Sequence, residues 1–366
     1  MNSGPVRRRF LRTQDEAGKE SRLVFPPGGR AGGAGPVRRA GRGLSVGVDI
    51  GGTKIAAGVI DGHGTVLAEV RRPTPGHDPR AVETVITQLV RELSAGYRIR
   101  SVGVGAAGWM DPTNSTVLFS PHLAWRNEPL RRSLEQRLGR HVSLANDADA
   151  AAWAEWRFGA GRGESRLVSI TLGTGIGGAM VMDGRVERGR HGMAGEFGHQ
   201  IIVPQGRSCE CGNRGCWEQY ASGNALGRKA RDLAAARSPG ARAVIDASAD
   251  GTPITGALVT ELALAGDAAS RALVDDVGQW LGLGLANLAA ALDPGTFVIG
   301  GGLSGAGDLL LEPARRAFGE NLTGRGFRPA ARIEPAALGP AAGLIGAADL
   351  SRLPRRLPAP PGSTGR

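Results

Sequence analysis

Val48-Asp49-Ile50-Gly51-Gly52-Thr53-Lys54, followed by an apolar run to Asp61-Gly62, reads as a β-branched strand that meets a glycine/threonine turn and returns as a second strand. At an offset of 122 residues the chain repeats the pattern as Ile170-Thr171-Leu172-Gly173-Thr174-Gly175-Ile176-Gly177-Gly178, with an apolar run to Asp183-Gly184. β-Branched residues favour strands and Asp-Gly favours a tight reversal. Two unrelated glycine hairpins are the alternative, but the matched lengths and matched Asp-Gly endings point to an internal duplication. Between and after the hairpins, strand and helix alternate. Segment 79–94 places Val82, Val85, Ile86, Leu89, Val90 and Leu93 at helical spacing. Segments 101–105 and 142–145 read as strands, 129–138 and 147–158 as helices. Further helices are predicted over 224–236, 255–265, 270–292 and 309–318, and a buried strand at 296–299 runs into Gly300-Gly301-Gly302. The prediction is an α/β chain of two lobes, 44–145 and 146–351, each with one glycine hairpin and with a cleft between them.

The formal charge of +11 suggests a nucleic-acid binder until it is divided along the chain. Residues 1–43 carry ten basic and three acidic side chains, and 352–366 carry four arginines and no acid, so the body between is neutral. No basic binding face, and no specific nucleic-acid binding, is expected of the folded part. The first 43 residues are Gly, Pro and Arg without hydrophobic periodicity and read as a disordered basic arm, as 352–366 reads as a disordered tail. Arg7-Arg8-Arg9-Phe10-Leu11-Arg12 is followed by Thr-Gln-Asp-Glu rather than an apolar stretch, which excludes a twin-arginine export signal. The longest apolar stretch, 280–292, is too short to span a bilayer and is interrupted by Asn287. With reduced cysteines and no export signal, the expected location is the cytoplasm.

All three cysteines lie within eight residues, in Cys209-Glu-Cys211-Gly-Asn-Arg-Gly-Cys216, and His199 stands ten residues before the first. Three thiolates and an imidazole complete a closed tetrahedral shell, so a structural Zn²⁺ loop over 199–216 is expected; three reduced thiols in a loop are the alternative. Phosphoryl transfer needs donors on the phosphates, a metal and a base at the attacking hydroxyl. Glycine turns supply backbone N–H donors because no Cβ bars a close approach. Gly51, Gly52 and Thr53 offer one such cradle and Gly173, Thr174 and Gly175 the other. Neither has the Gly-Lys-Ser/Thr ending of a P-loop. Asp49, at the mouth of the first turn, is placed to hold Mg²⁺. Lys54 either reaches a phosphate or is a solvated lysine on the returning strand. Asn146-Asp147, where a strand gives way to a helix, serves as a helix cap, as a catalytic carboxylate, or as both.

These motifs, taken in order, resemble the ROK family of sugar kinases and repressors. The resemblance rests on Asp-Ile-Gly-Gly-Thr-Lys at 49–54, Asn-Asp at 146–147, Leu-Gly-Thr-Gly-Ile-Gly-Gly at 172–178, Gly-Glu-Phe-Gly-His at 195–199 and Cys-Glu-Cys-Gly-Asn-Arg-Gly-Cys-Trp-Glu-Gln-Tyr at 209–220. Within the family the chain is most similar to the glucose-phosphorylating members of actinobacteria, on Ala106-Ala107-Gly108-Trp109 and Ala221-Ser222-Gly223 in addition. The resemblance implies an actin-like ATPase (ribonuclease H-like) fold, duplicated into two lobes. It implies transfer of phosphate from ATP, with Mg²⁺, to the 6-hydroxyl of glucose. Asp147 resembles the general base and Asn146 a sugar hydrogen-bond partner, while Glu196, His199 and Glu218 resemble the residues that fix the ring hydroxyls. His199 would serve twice, with one ring nitrogen on zinc and the other toward the sugar or a carboxylate. Gly300, Gly301 and Gly302 resemble the adenosine-side glycine turn, and a homo-oligomer, dimer or tetramer, is implied. His122 departs from the asparagine usual in family kinases. Other hexoses as acceptor and polyphosphate as donor are alternatives. A sugar-sensing regulator is another, but the residues before the first hairpin are too few and irregular for a winged helix-turn-helix.

Overall fold

Side chains along the first strand, Leu44–Ile50 (β1), point alternately to the two faces of its sheet, and this decides what each face does. Val46, Val48 and Ile50 enter an apolar cluster with Val82, Ile86, Leu89 and Leu93 of helix Pro79–Gly96. That helix is started by Asp78, whose carboxylate accepts the N–H groups of Arg80 at 2.9 Å and Ala81 at 3.2 Å. Gly47 and Asp49 face the other way, toward the middle of the molecule. The computed structural model describes residues 43–120 and 123–354. The basic arm up to residue 42, His122, and the tail beyond Pro354 lie outside the described residues.

Strand β1 is joined by Lys54–Ile60 (β2), Val66–Pro73 (β3), Ile99–Ala106 (β4) and Val142–Asn146 (β5) in the order β3-β2-β1-β4-β5. β1 runs antiparallel to β2 and parallel to β4, and β4 parallel to β5. The second sheet comprises Arg166–Leu172 (β6), Ile176–Met182 (β7), Arg185–Glu187 (β8), Thr296–Gly300 (β9) and Arg332–Pro335 (β10), in the order β8-β7-β6-β9-β10. Its strand directions repeat those of the first sheet. Identical order and direction make the duplication a property of the fold, which is that of the actin-like ATPases. Val168, Ile170 and Leu172 pack on Val277, Leu281 and Leu285 of helix Ala268–Leu292, whose apolar face is therefore core. A short three-stranded meander of Trp109–Met110, Val117–Phe119 and Arg126–Glu128, absent from the sequence reading, stands at the cleft. No helix among the described residues is long and apolar enough to cross a membrane.

The two inner faces are covered by crossed helices. Helix Asp147–Phe158 follows the first sheet in sequence, yet its Ala148, Ala152 and Trp156 lie with Leu167, Ala179, Val181 and Val298 on the second. Helix Ala342–Leu350 follows the second sheet, yet its Leu344, Ile345 and Ala348 lie with Ala56 and Ile60 on the first. Assigning everything from 146 to 351 to the C-terminal lobe is therefore corrected for this last helix. Its backbone rests on glycines: a Cβ on Gly47 would lie 1.8 Å from the Leu344 carbonyl oxygen, and one on Gly103 1.8 Å from that of Ala347. The two helices touch just as closely, since a Cβ on Gly346 would lie 1.7 Å from the Ala150 carbonyl oxygen.

Buried carboxylates brace this crossing. Glu155 accepts the N–H groups of Ala160 at 2.9 Å, Ala337 at 3.1 Å and Leu338 at 2.8 Å. Asp349 accepts Trp153 Nε1 at 2.8 Å and Arg157 Nε at 3.1 Å. Arg352, placed in the tail by the sequence reading, still belongs to the fold: it donates to Asp349 at 3.0 Å and to the Ile60 carbonyl at 2.7 Å. Because backbone meets backbone at Gly47, Gly47→Ala is expected to destabilise the protein by about 3 kcal/mol, the upper part of the range for overpacking. Gly96→Ala, at a helical position with open space around it, should stay within about 1 kcal/mol of the parent. Equal denaturation midpoints for the two variants would show that the last helix is not pressed onto the sheet.

Candidate active site

Each glycine turn is closed by its own backbone. Gly51 N–H donates to the Lys54 carbonyl at 3.0 Å, and Gly173 N–H to that of Gly175 at 3.0 Å. The sequence reading offered both of these N–H groups to phosphate; they are spent on the turns. Gly52, Thr53, Thr174 and Gly175 have no backbone acceptor among the described residues and are the donors that remain. Carbonyl groups are turned away in both cases. Thr74 binds the Gly51 carbonyl through Oγ1 at 2.8 Å and the Thr53 carbonyl through its N–H at 3.1 Å. Gly223 and Asn224, opening helix Gly223–Ala235, bind the carbonyls of Gly173 at 2.8 Å and Thr174 at 3.3 Å. Gly301 lies against the end of β6, where an added Cβ would be 2.4 Å from the Leu172 carbonyl oxygen. The structure thus brings 300–302 beside 173–175. Lys54 is exposed at the start of β2.

Asp49 sits on the inner face of β1 against the start of the last helix; a Cβ on Gly343 would lie 2.7 Å from its Oδ2. Burial, and then the negative charge of Asp147, push its pKa up to about 7, with Lys54 opposing. Asp147 is thus near enough for its charge to act on Asp49. Asn146 is the helix cap: its Oδ1 accepts the N–H groups of Ala148 at 2.9 Å and Asp149 at 3.1 Å. Its Nδ2 donates to the Gly108 carbonyl at 3.1 Å, which ties the meander to the end of β5. With Asn146 as the cap, Asp147 is not needed for that purpose.

Gly108, Trp109, Asn146, Arg188, Met193 and Glu196 line one pocket. Glu196 has a raised pKa, caused first by burial. The His199 ring points Nε2 at Glu196 Oε2, 3.7 Å away, and Nδ1 at both Cys209 Sγ and Glu218 Oε1, each 3.7 Å away. Glu218 Oε1 accepts from the Cys209 thiol at 3.1 Å. On its other side Glu218 abuts the second glycine turn, since a Cβ on Gly175 would lie 2.4 Å from its Oε2. His199, the Cys209 thiol and the second glycine turn are thus contiguous through one carboxylate, that of Glu218.

The ligand atoms of His199, Cys209, Cys211 and Cys216 all lie within 4.8 Å of one another. Cys211 and Cys216 Sγ are 3.6 Å apart. Thiolates about 2.3 Å from a tetrahedral zinc stand about 3.7 Å from each other, so this donor set fits the ion.

Three residues at the pocket were given no role by the sequence reading. Trp109, quoted there only within a family motif, hydrogen-bonds Glu196. Asp149 is buried two residues beyond Asp147 and pairs with Arg188 Nε at 2.9 Å. A two-residue spacing puts Asp149 on a different side of the helix from Asp147, so the Asp-Ala-Asp run signals one exposed and one inward carboxylate at most. Arg188, in the run Glu-Arg-Gly-Arg, has no signal that separates it from its neighbours.

A family model described as the ROK family matches residues 45–353. The glucokinase of Streptomyces coelicolor is 46% identical over 314 residues, covering 85% of this chain and 98% of that protein. The crystal structure of a ROK family glucokinase from Streptomyces griseus in complex with glucose and AMPPNP matches with a TM-score of 0.77 and 46% identity, over 85% of this chain and 99% of that one. The ROK hexokinase of Thermus thermophilus matches with a TM-score of 0.69 and 36% identity, over 84% of this chain and 97% of that one. On the duplicated sheets, the paired glycine turns and these similarities, the chain belongs to the ROK family.

Proposed function

We propose that the protein is a glucokinase that moves the terminal phosphoryl group of ATP to the 6-hydroxyl of glucose. The observation that supports this reading best is the joint presence of two matched glycine turns, in which Gly52, Thr53, Thr174 and Gly175 keep N–H groups without a backbone acceptor among the described residues, and of Asp49, on which the charge of Asp147 acts. Among relatives this reading is supported by the Streptomyces griseus glucokinase, determined with glucose and AMPPNP and alike over most of this chain. In the proposed reaction Asp147 accepts the proton of the sugar 6-hydroxyl as that oxygen forms its bond to the terminal phosphorus. The bond from phosphorus to the bridging oxygen breaks, and ADP leaves with the electron pair. Gly52, Thr53, Thr174 and Gly175 donate N–H groups to the phosphates, and Gly300 to Gly302 border the adenosine. Magnesium, held by Asp49, would neutralise charge on the phosphates. The raised pKa of the Asp49 carboxylate, caused first by burial, fits that use, since a cation beside it favours the ionised form.

Glu196, His199 and Glu218 are the proposed contacts to the ring hydroxyls, with Asn146 beside Asp147. A hydrogen-bonding site that a bound sugar closes off from water rejects a sugar that leaves its groups unpaired. The zinc set, His199 Nδ1 with Cys209, Cys211 and Cys216, supplies no open coordination position and would hold the 196–218 segment in shape. Dimeric or tetrameric assembly belongs to the same reading and is read out by light scattering.

Replacing Asp147 with Asn should leave glucose affinity by calorimetry unchanged and lower turnover by at least about 100-fold, the scale of a positioned acid–base group. Turnover close to the parent's would remove Asp147 from the mechanism. Cys211→Ser should lower the zinc content of the purified protein below the parent's, because a closed site contributes on the order of 10 kcal/mol to local folding, and should weaken glucose binding with it. Unchanged metal content by mass spectrometry, at unchanged affinity, argues against any coupling of metal to sugar.

A further inference from the structure

The geometry points to Arg188 as a positioning residue that locks three separate parts of the sugar pocket into one unit; this rests on the sugar-kinase reading above. Its side chain is 14% exposed, and each edge of the guanidinium is engaged. Nε donates to Asp149 Oδ2 at 2.9 Å. Nη1 donates to Asn114 Oδ1 and, at 3.5 Å, to the Asp111 carbonyl. Nη2 donates to the Gly192 carbonyl at 3.0 Å. The acceptors come from the cleft meander of the first lobe, from the loop before Glu196 in the second, and from the helix that begins at Asp147.

Each partner is itself held. Asn114 lies in a turn knotted by the Asp111 carboxylate, which accepts the N–H groups of Thr113 at 3.1 Å, Ser115 at 2.6 Å and Thr116 at 2.6 Å. The φ of Asn114, 51°, is in the left-handed region, which asparagine tolerates better than most residues, so local preference and the knot agree on the turn. The loop after Arg188 is closed by Ala194 N–H on the Arg188 carbonyl at 3.1 Å. Gly192 brings this loop against the meander, where an added Cβ would lie 2.9 Å from the Met110 carbonyl oxygen. Asp149 shares the Asn146 cap with the first turn of the Asp147 helix. Arg188 therefore fixes, from the wall of that pocket, the spacing between Trp109, Glu196 and the helix that begins at Asp147.

Two components are separable. The planar fork sets the distances between the loops, which a lysine cannot reproduce. The positive charge offsets the buried Asp149, whose negative charge otherwise adds to those of Asp147 and Glu196 in the same pocket. Losing the fork alone should weaken sugar binding; losing the charge as well should slow the chemical step.

The test compares Arg188→Lys, Arg188→Met and Asn114→Gly, the last keeping the left-handed turn while removing the amide. Steady-state kinetics for glucose and Mg·ATP are combined with calorimetric glucose binding. For Arg188→Lys, KM and Kd for glucose should rise about tenfold, with kcat lowered about threefold at most and KM for ATP within about twofold. For Arg188→Met the rise should be about 30-fold, with kcat down on the order of tenfold in addition. Asn114→Gly should raise glucose KM about fivefold and leave ATP KM unchanged. Glucose constants within about twofold of the parent in both Arg188→Lys and Asn114→Gly overturn the proposal, as does an equal rise for glucose and ATP, which marks general loosening. Should Arg188→Met fail to fold, the other two variants decide. A parent protein that phosphorylates no sugar would count against the kinase reading, while the calorimetric constants would still decide the role of Arg188.

Discussion

Two helices crossing at Gly346, close enough that a Cβ there would meet the Ala150 carbonyl oxygen at 1.7 Å, fix the relation of everything else in this molecule. One of them begins with Asp147; the other begins beside Asp49. The separation of the two carboxylates is thus set by helix packing. Rigid backbone on both sides makes this crossing difficult to adjust, because a close-packed interior has no slack to absorb even one methyl group. Glu155 and Asp349, each accepting several hydrogen bonds from across the crossing, keep the helices from sliding.

Charge in the cleft works against that frame. Asp49, Asp147, Asp149 and Glu196 influence one another, and burial disfavours the ionised form of three of them. The protein answers each case differently. Asp149 receives a buried guanidinium. Asp49 has Lys54 on the returning strand of the hairpin. Glu196 has the His199 ring and the Trp109 hydrogen bond. Anionic charge is thus gathered around Asp147, which acts on all three of the others.

Much of this was legible in the sequence. Strand-turn-strand periodicity and the repeated Asp-Gly endings led to the duplicated sheets, and the amphipathic run at 79–94 led to the helix Pro79–Gly96. The cysteine spacing foretold a cluster that the fold closes. Other elements carried no usable signal. Helix Ala342–Leu350 is apolar on every side because it is buried on every side, so no hydrophobic stripe marks it. The meander of Trp109–Met110, Val117–Phe119 and Arg126–Glu128 has strands too short to show alternation. Asn146 and Asp147 were legible as a pair, but which of them caps the helix depends on a rotamer that sequence does not record. Arg188 is one arginine among many; its importance lies in partners from distant parts of the chain.

The exchange of closing helices also has a consequence during synthesis. The first sheet is complete when Val142–Asn146 leaves the ribosome, but its inner face, with Gly47 and Gly103, is covered by a helix that ends at Leu350. Domains generally fold as units and in the order in which they are made. Here the lobe made first is finished last, and the face that carries Ser45, Gly47, Asp49, Ser101 and Gly103 stays without its covering helix until almost the whole chain has emerged. That interval is the time taken to add roughly 200 residues, on the order of 10 to 40 seconds at ordinary elongation rates.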